Sequence, residues 1–374
     1  MTRKSPIILQ RVIPHYRRPF FEAVHERYGW RVVAAESPPG GTFLNILNPS
    51  DLAFADTFPM KFSKNGLNCD IDTDALIDRF KPPALLAEFS MRMNSSFKLP
   101  LARRTGGLRR LAFWTQGWSM ERPFRSIPDY ASHFGRIPLF AAADHILTYT
   151  EEGAAWVRRY IDAARVTALG NAIDDGPIRD AAAAATPAAL GRPAFLSVGR
   201  LTPDKGFDRL IRMFDKVLNA YPDATLTLVG DGPERERLTA LAGDRLGRSI
   251  RMPGALYGED ALAPLFLGAD LYLLSGAAGL SVNHALAYGL PIVAFARGQQ
   301  GPFHHPEIEY VRHGHTGWLA EKFSDEGFLR AIDEALGYFE DANMRRRLLD
   351  FARTDASMTA MVARFGRLNA HLLG

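Results

Sequence analysis

The chain has one cysteine, Cys69, among its 374 residues. A lone thiol excludes an internal disulfide, so the fold must be held by its core, and this cysteine usage suits a reducing compartment. Cys69 itself reads as a buried thiol without a role. Long apolar runs are also missing. No stretch approaches the roughly 18 uninterrupted apolar residues of a membrane span, and the longest candidate, LAPLFLGADLYLL, is broken by Asp270. The start, MTRKSPIILQRV, is basic, but its apolar run is too short for a secretory leader. A large charge of one sign is absent too: 45 Lys and Arg against 41 Asp and Glu leave a formal +4. No nucleic-acid recognition motif accompanies that charge, so no nucleic-acid partner is expected.

What is present is a globular composition, 47% hydrophobic and 23% charged, in a length that suits two domains. Strand-like runs alternate with amphipathic stretches along the whole chain. PIILQRV, RVVAAE, ALLAEF, RLAFWTQG and HILTYT fall in the first half; AFLSVGR, ATLTLVGDG, SIRMPGAL, DLYLLS and PIVAFA fall in the second. This alternation predicts an α/β class with parallel sheets covered by helices. RDAAAAATPAALGRP carries no strand pattern and places a linker at about 175–192. The expected layout is a first domain over 1–175, a second over 176–355, and a helix over 356–374 that crosses back.

Three elements of the second half carry chemistry. FLSVGRLTPDKGFDRLI sets Arg200 and Lys205 on a loop between a strand and a helix starting near Phe207, where two cations can converge on one anion. The bland alternative is a pair of solvent-facing loop residues. VGDGPERERL follows a strand, and Gly230 and Gly232 permit close backbone approach to a ligand. SGAAGLSVNHALAYGLPIV runs from a buried strand through a loop of small residues into a helix, leaving free N–H groups near Gly279, Leu280 and Ser281.

In this order, GRLTPDKG, VGDGPE and GAAGLSVNHALAYGLP resemble the carboxyl-terminal domain of the retaining family-four (group 1) glycosyltransferases. PEIEYVRHGHTGWL and GNAIDDG are similar to further segments of that family, and the match covers roughly 170–340. The resemblance implies a GT-B fold, two Rossmann-like domains facing each other across a cleft. It implies a hexosyltransferase-class enzyme with a nucleotide-diphosphate sugar as donor substrate, UDP favoured over GDP. Arg200 and Lys205 would hold the diphosphate as the catalytic pair, with Gly199, Gly230, Gly232, Gly279, Leu280 and Ser281 around the donor. No cofactor and no metal are expected, since protein cations and amides replace the metal.

The chain departs from the family at both motif glutamates, which fall in register at Gly276 and His284. A neutral His284 can accept one ribose hydroxyl, or it can simply fill space on a helix face. Gly276 offers nothing to the sugar, which leaves backbone amides and His304, His305 or Glu307 to hold it. In the first half, His15, Arg17, Arg18, Gln116 and Trp118 are candidate acceptor contacts, with His133 a weaker one. A basic, aromatic-rich segment from Arg92 to Arg125 suits an anionic membrane surface, or else a solvated helix face. The expectation is therefore a cytoplasmic protein, peripheral at the inner membrane face, acting on a glycan or lipid-linked acceptor in cell-surface or exported polysaccharide synthesis. A non-catalytic GT-B protein that binds a nucleotide sugar or glycan is the alternative, and a sugar-nucleotide epimerase a third.

Overall fold

The computed structural model describes residues 4–35, 45–64, 68–118, 126–298, 301–338 and 343–374. The chain forms two compact units. Unit 1 comprises Met1–Gly170 with Met358–Gly374, and unit 2 comprises Asn171–Ser357.

Unit 1 is built on β1 (Ile7–Leu9), β2 (Arg31–Ala34), β3 (Ala55–Thr57), β4 (Leu85–Glu88), β5 (Leu111–Thr115), β6 (His145–Thr148) and β7 (Val166–Ala168). They form one sheet in the order β7-β6-β5-β4-β1-β2-β3, with every pair parallel. The order reverses between β1 and β4. Helices α1 (Arg18–Tyr28), α2 (Ser95–Arg104) and α3 (Ile127–Phe134) belong to this unit. The central strands are buried on both faces, which is why LAFWT at 111–115 reads as a continuous apolar run with no alternation.

Unit 2 repeats the plan. Helix α4 (Gly176–Ala184) precedes β8 (Ala194–Val198), α5 (Phe207–Ala220), β9 (Thr225–Val229), β10 (Ile250–Gly254), α6 (Glu259–Gly268), β11 (Leu271–Leu274), α7 (Ser281–Ala287), β12 (Ile292–Phe295), β13 (Gly317–Ala320) and α8 (Met344–Asp355). The sheet order is β10-β9-β8-β11-β12-β13, again parallel throughout, with its reversal between β8 and β11. In α5 the buried residues Phe207, Leu210, Ile211, Phe214 and Val217 recur every three or four positions. That stripe holds the helix on the sheet.

All ten strand runs read from the sequence are strands. The expected linker is corrected: its first half is helix α4, with Pro177 in the first turn and Ile178 and Ala181 buried. Alanine is the strongest helix former, so an alanine-rich stretch with an apolar stripe folds. The division between the units falls at Gly170 and Asn171, before that helix. The final helix, α9 (Met358–Leu373), packs in unit 1, where Phe365 meets Phe20 and Trp30 edge-on and Asn369 accepts from the Trp30 indole at 2.9 Å.

Buried histidine makes unit 1 sensitive to acid. His145 is 2% exposed in β6, with Nε2 2.9 Å from the Thr167 hydroxyl. Burial first, then the nearby His371 and Arg165, push its pKa down to about 4. The unfolded chain takes this proton near pH 6.5 and the folded chain only near 4. His145 therefore contributes stability in full above about pH 6.5 that is lost progressively as the pH falls to about 4, a loss of up to about 3 kcal/mol. Denaturant unfolding followed from pH 7.5 to 4 should show this slope, and His145→Gln should flatten it. An unchanged slope in the variant would refute the assignment.

Candidate functional site

The reversal point of a doubly wound sheet leaves a crevice at the carboxyl ends of its two central strands. In unit 2 these are β8 and β11, and the loops leaving them pack backbone on backbone. The Ala277 N–H donates to the Asp204 carbonyl at 2.8 Å, Ser275 Oγ to the Gly206 carbonyl at 2.7 Å, and Lys205 Nζ to the Ala277 carbonyl at 2.9 Å. A Cβ on Gly276 would lie 2.3 Å from the Asp204 carbonyl oxygen and from the Lys205 carbonyl carbon. No side chain fits there. Gly206 turns the other loop with φ +67°, and a Cβ on it would meet the Ser275 carbonyl at 2.9 Å.

Between these loops lies a cavity of about 180 Å³, lined by Ser197, Val198 and Gly199 from β8 and its end, by Lys205, and by Gly279, Leu280 and Ser281. The Gly279 and Leu280 N–H groups donate to nothing among the described residues. Lys205 is largely buried. Desolvation lowers its pKa, and Asp204 and Glu307 partly restore it. The cavity thus presents one cation and unused amides, which is the chemistry of an oxyanion site. At this volume it accommodates only part of a nucleotide sugar.

The other expected donor residues are placed differently. Arg200 is exposed on the β8 loop, does not line the cavity, and makes no ion pair among the described residues. Gly230 and Gly232 also lie outside the lining. What they approach is the protein itself: a Cβ on Gly230 would fall 1.8 Å from the Gly199 carbonyl oxygen, and one on Gly232 2.5 Å from that of Leu201. Their glycine character seats the β9 loop on the β8 loop.

His284, on α7, is outside the lining as well. Its Nε2 lies 2.9 Å from a Glu259 carboxylate oxygen, and its ring packs 4.8 Å from Phe266. Glu259, in the first turn of α6, also accepts from Tyr288 Oη at 2.7 Å. Burial alone would raise the Glu259 pKa, but the bonds from His284 and Tyr288 bring it below its ordinary value. In its neutral form His284 donates Nε2–H to Glu259, which leaves Nδ1 as an acceptor. Glu259 was not legible as a site residue, because only the fold brings α6 against α7.

Glu307 is 2% exposed. One of its oxygens accepts from Asn171 Nδ2, while Oε2 has no hydrogen-bond partner among the described residues. His304 Nδ1 accepts from the Ala278 N–H at 3.1 Å and braces the loop. Burial, with Arg297, pushes its pKa down to about 4. The His305 ring sits over Gly279.

In unit 1 the acceptor candidates differ in burial and partners. Arg17 is buried, its guanidinium 4.4 Å from the Trp114 ring and 5.1 Å from that of Tyr149. Arg18 is exposed and pairs with Glu22 at 2.8 Å. His15 is exposed, Gln116 is half-buried, and Trp118 packs against the hydrophobic core. His133 is a buried residue packed edge-on against Trp156 at 4.7 Å, its pKa lowered by burial and by Arg136. Asp70, Asp72 and Asp74 have the alternate spacing of a metal-binding run, but Asp72 caps the helix Thr73–Phe80 and Asp70 accepts from Asn94. Among the described residues no group of three His, Cys, Asp or Glu is placed to hold a metal.

The loop contact gives a direct expectation. Gly276→Ala should destabilise unit 2 by about 3 kcal/mol, since backbone must move to admit one methyl group, and Gly276→Glu by at least as much. Trp318 is the one tryptophan within 171–357, so its fluorescence in a denaturant titration reports this unit. Wild-type stability in Gly276→Ala would show that the loops separate freely.

Comparison with known proteins follows this geometry. Residues 179–355 match the family model for glycosyl transferases group 1. The chain is 32% identical over 161 residues to the lipopolysaccharide core biosynthesis glycosyltransferase LpsE of Rhizobium meliloti (strain 1021), a match covering 42% of this chain and 43% of that protein. It therefore spans less than half the length of this curated relative. Its structure is similar to that of Anabaena Alr3699/HepE in complex with UDP, with a TM-score of 0.65 and 15% identity over 98% of this chain and 99% of that one. It is also similar to the lipopolysaccharide outer core galactosyltransferase WaaB in its apo form, with a TM-score of 0.64 and 13% identity over 97% and 98% of the two chains. At such identities the likeness establishes the GT-B fold, and residues 179–355 are the part of the chain that is similar to the group 1 glycosyl transferases.

Proposed function

We propose that this chain transfers a sugar from a nucleotide-diphosphate donor, a UDP-sugar in preference to a GDP-sugar, to a glycan or lipid-linked acceptor in cell-surface or exported polysaccharide synthesis. The observation that carries the reading is the Lys205 cation facing the unused Gly279 and Leu280 amides at the reversal point of the unit 2 sheet. In this reading these groups balance the charge that develops on the departing diphosphate, and Arg200 folds in from its loop to complete the neutralisation. Protein cations then do the work of a metal. The departing phosphate takes the acceptor proton on the same face, which retains configuration. The buried oxygen of Glu307 that has no partner among the described residues accepts a sugar hydroxyl in place of the acid that Gly276 cannot carry, and His284 Nδ1 accepts from the ribose.

A second reading, a non-catalytic binder of nucleotide sugar, draws on the same Gly276. One experiment separates the two: incubation with a panel of nucleotide sugars in EDTA, scoring hydrolysis and transfer, with UDP binding measured in parallel. Turnover in EDTA is expected. Lys205→Ala and Arg200→Ala should each lose roughly 2–4 kcal/mol of transition-state stabilisation with the fold intact. Tight UDP binding without turnover of any donor would favour the binder, and near-wild-type turnover in both variants would remove the diphosphate assignment.

We also propose that unit 1 meets an anionic membrane surface. Helix α2 exposes Phe97 and Leu101, the latter 62% accessible, beside exposed Lys98 and Arg104. Helix α3 exposes Ile127, 85% accessible, together with Tyr130 and Phe134. Arg103 and Arg110 are instead bound by Asp144, and Glu121, Arg122 and Arg125 lie outside the described residues. No described helix is long and apolar enough to cross a membrane. Binding to vesicles should require anionic lipid, weaken with salt, and fall in a Lys98→Glu, Arg104→Glu variant. Salt-independent binding, or none, would leave a solvated helix face.

A further inference from the structure

At the reversal point of the unit 2 sheet, β8 is paired unequally on its two sides. Toward β9 its ladder runs to Val198, which pairs with Val229; toward β11 it stops two residues sooner, at Leu196 and Tyr272. In a parallel ladder the next bond would run from the Val198 N–H to the Leu273 carbonyl. Both groups are already engaged by side chains. Ser197 Oγ donates to the Leu273 carbonyl at 2.8 Å. Tyr272 Oη accepts from the Val198 N–H at 3.0 Å and donates to the Val198 carbonyl at 2.9 Å. Two hydroxyls therefore end the ladder.

The Tyr272 hydroxyl is committed in full. It also receives the Ser281 hydroxyl, so its one proton and both lone pairs are used. Burial pushes its pKa up to about 12, which keeps that proton in place at neutral pH. The ring is held as well, stacked on Phe266 with centroids 5.8 Å apart at 10°. Val198 and Ser281, which this hydroxyl binds, line the Lys205 cavity, and Ser197 and Leu274 line it beside them. Were the ladder to continue, Val198 would pair with Leu274 and draw two of those walls together.

We propose that Tyr272 is a positioning residue for the Lys205 cavity: its hydroxyl replaces the next rung of the ladder, holds β8 and β11 apart, and fixes Ser281 where α7 begins. The inference deepens the donor reading and rests on it for the occupant, a diphosphate, but not for the opening itself.

The opening can be read without any occupant. Competitive acetylation of the full chain with acetic anhydride, followed by mass spectrometry, compares Lys205 with the exposed Lys216. Tyr272→Phe should slow the labelling of Lys205 relative to Lys216 about fivefold, the scale of one hydrogen bond. Ser197→Ala frees the Leu273 carbonyl for the Val198 N–H, so it should act in the same direction, and it carries the test if Tyr272→Phe does not fold. UDP affinity, measured by calorimetry, should fall by a similar factor in both variants. Thr225→Val removes another buried hydroxyl, one that donates to the Gly191 carbonyl at 3.0 Å at the amino end of β9. It should lower the unfolding midpoint yet leave labelling and UDP affinity at wild-type values, which separates lost stability from lost position. Lys205 labelling that is unchanged or faster in Tyr272→Phe and Ser197→Ala, or equally slowed in Thr225→Val, would overturn the proposal. Slowed labelling in a chain whose wild type binds no UDP would uphold the role of Tyr272 and remove the donor reading instead.

Discussion

The contact on which the rest of unit 2's site depends is a backbone-on-backbone one. The turn at 204–206 and the loop at 275–277 approach so closely that a methyl group at Gly276 would sit 2.3 Å from main-chain atoms. Three hydrogen bonds hold the contact, and one of them uses the Lys205 ammonium. The side chain that supplies the cavity's charge is therefore held by the same loop that supplies its amides. Two loops leaving strands on either side of a sheet reversal would otherwise diverge. Glycine at 276 and 206 lets them close, and Gly230 does the same for the next loop along. Reading Gly276 only as a lost acid misses this. The residue is a requirement of the packing as much as an omission from the chemistry.

His284 shows the reverse case, in which a residue in a chemical position is held by chemistry of its own. Glu259 binds its Nε2, Tyr288 binds the same carboxylate, and Phe266 packs against the imidazole. Such a brace fixes both ring orientation and, for the neutral ring, the tautomer. It also changes what a substitution means. A glutamate at 284 would face Glu259 across hydrogen-bonding distance, so the family's usual residue is a like-charge neighbour in this framework. The two positions at which the resemblance expects acids are thus each matched by local structure, Gly276 by the 204–206 turn and His284 by α6.

Much of this was legible in the sequence, and the reasons are physical. Strands buried on both faces are short apolar runs, so all ten that were read are present. β3, Ala-Asp-Thr, and β7, Val-Thr-Ala, carry too little apolar length to stand out. The alanine-rich stretch looked like a linker because proline follows it, yet alanine's propensity and two buried side chains make it α4. That Lys205, Gly279, Leu280 and Ser281 come together around one cavity was legible because a strand–loop–helix with small residues constrains the geometry. The contact of Glu259 with His284 was not legible, because it depends on which helices pack together. The burial of Arg17 was not legible for a related reason. An arginine in a basic turn reads as exposed, and nothing local announces that Trp114 and Tyr149 surround its guanidinium.

Magnitudes decide whether a site without its first acid remains a plausible donor site. A carboxylate hydrogen-bonded to a sugar hydroxyl contributes about 1.5–3 kcal/mol, and leaves no buried orphan if loop backbone fills its place. A cation–phosphate pair at about 4 Å has an interaction on the order of 4 kcal/mol at an effective dielectric of 20, and a diphosphate offers more than one such pair. In the proposed reading the glycine at 276 forgoes the smaller contribution, while Lys205 and the loop amides address the larger one. Burial of Lys205 works in the same direction. It makes the free cation less comfortable, as its lowered pKa records, so an arriving dianion relieves a cost already present in the fold. Asp204 and then Glu307 restrain that effect, and Glu307 still has an oxygen without a partner among the described residues. A buried carboxylate oxygen in that condition calls for a donor, and a sugar hydroxyl is the kind of donor that the proposed substrate would bring.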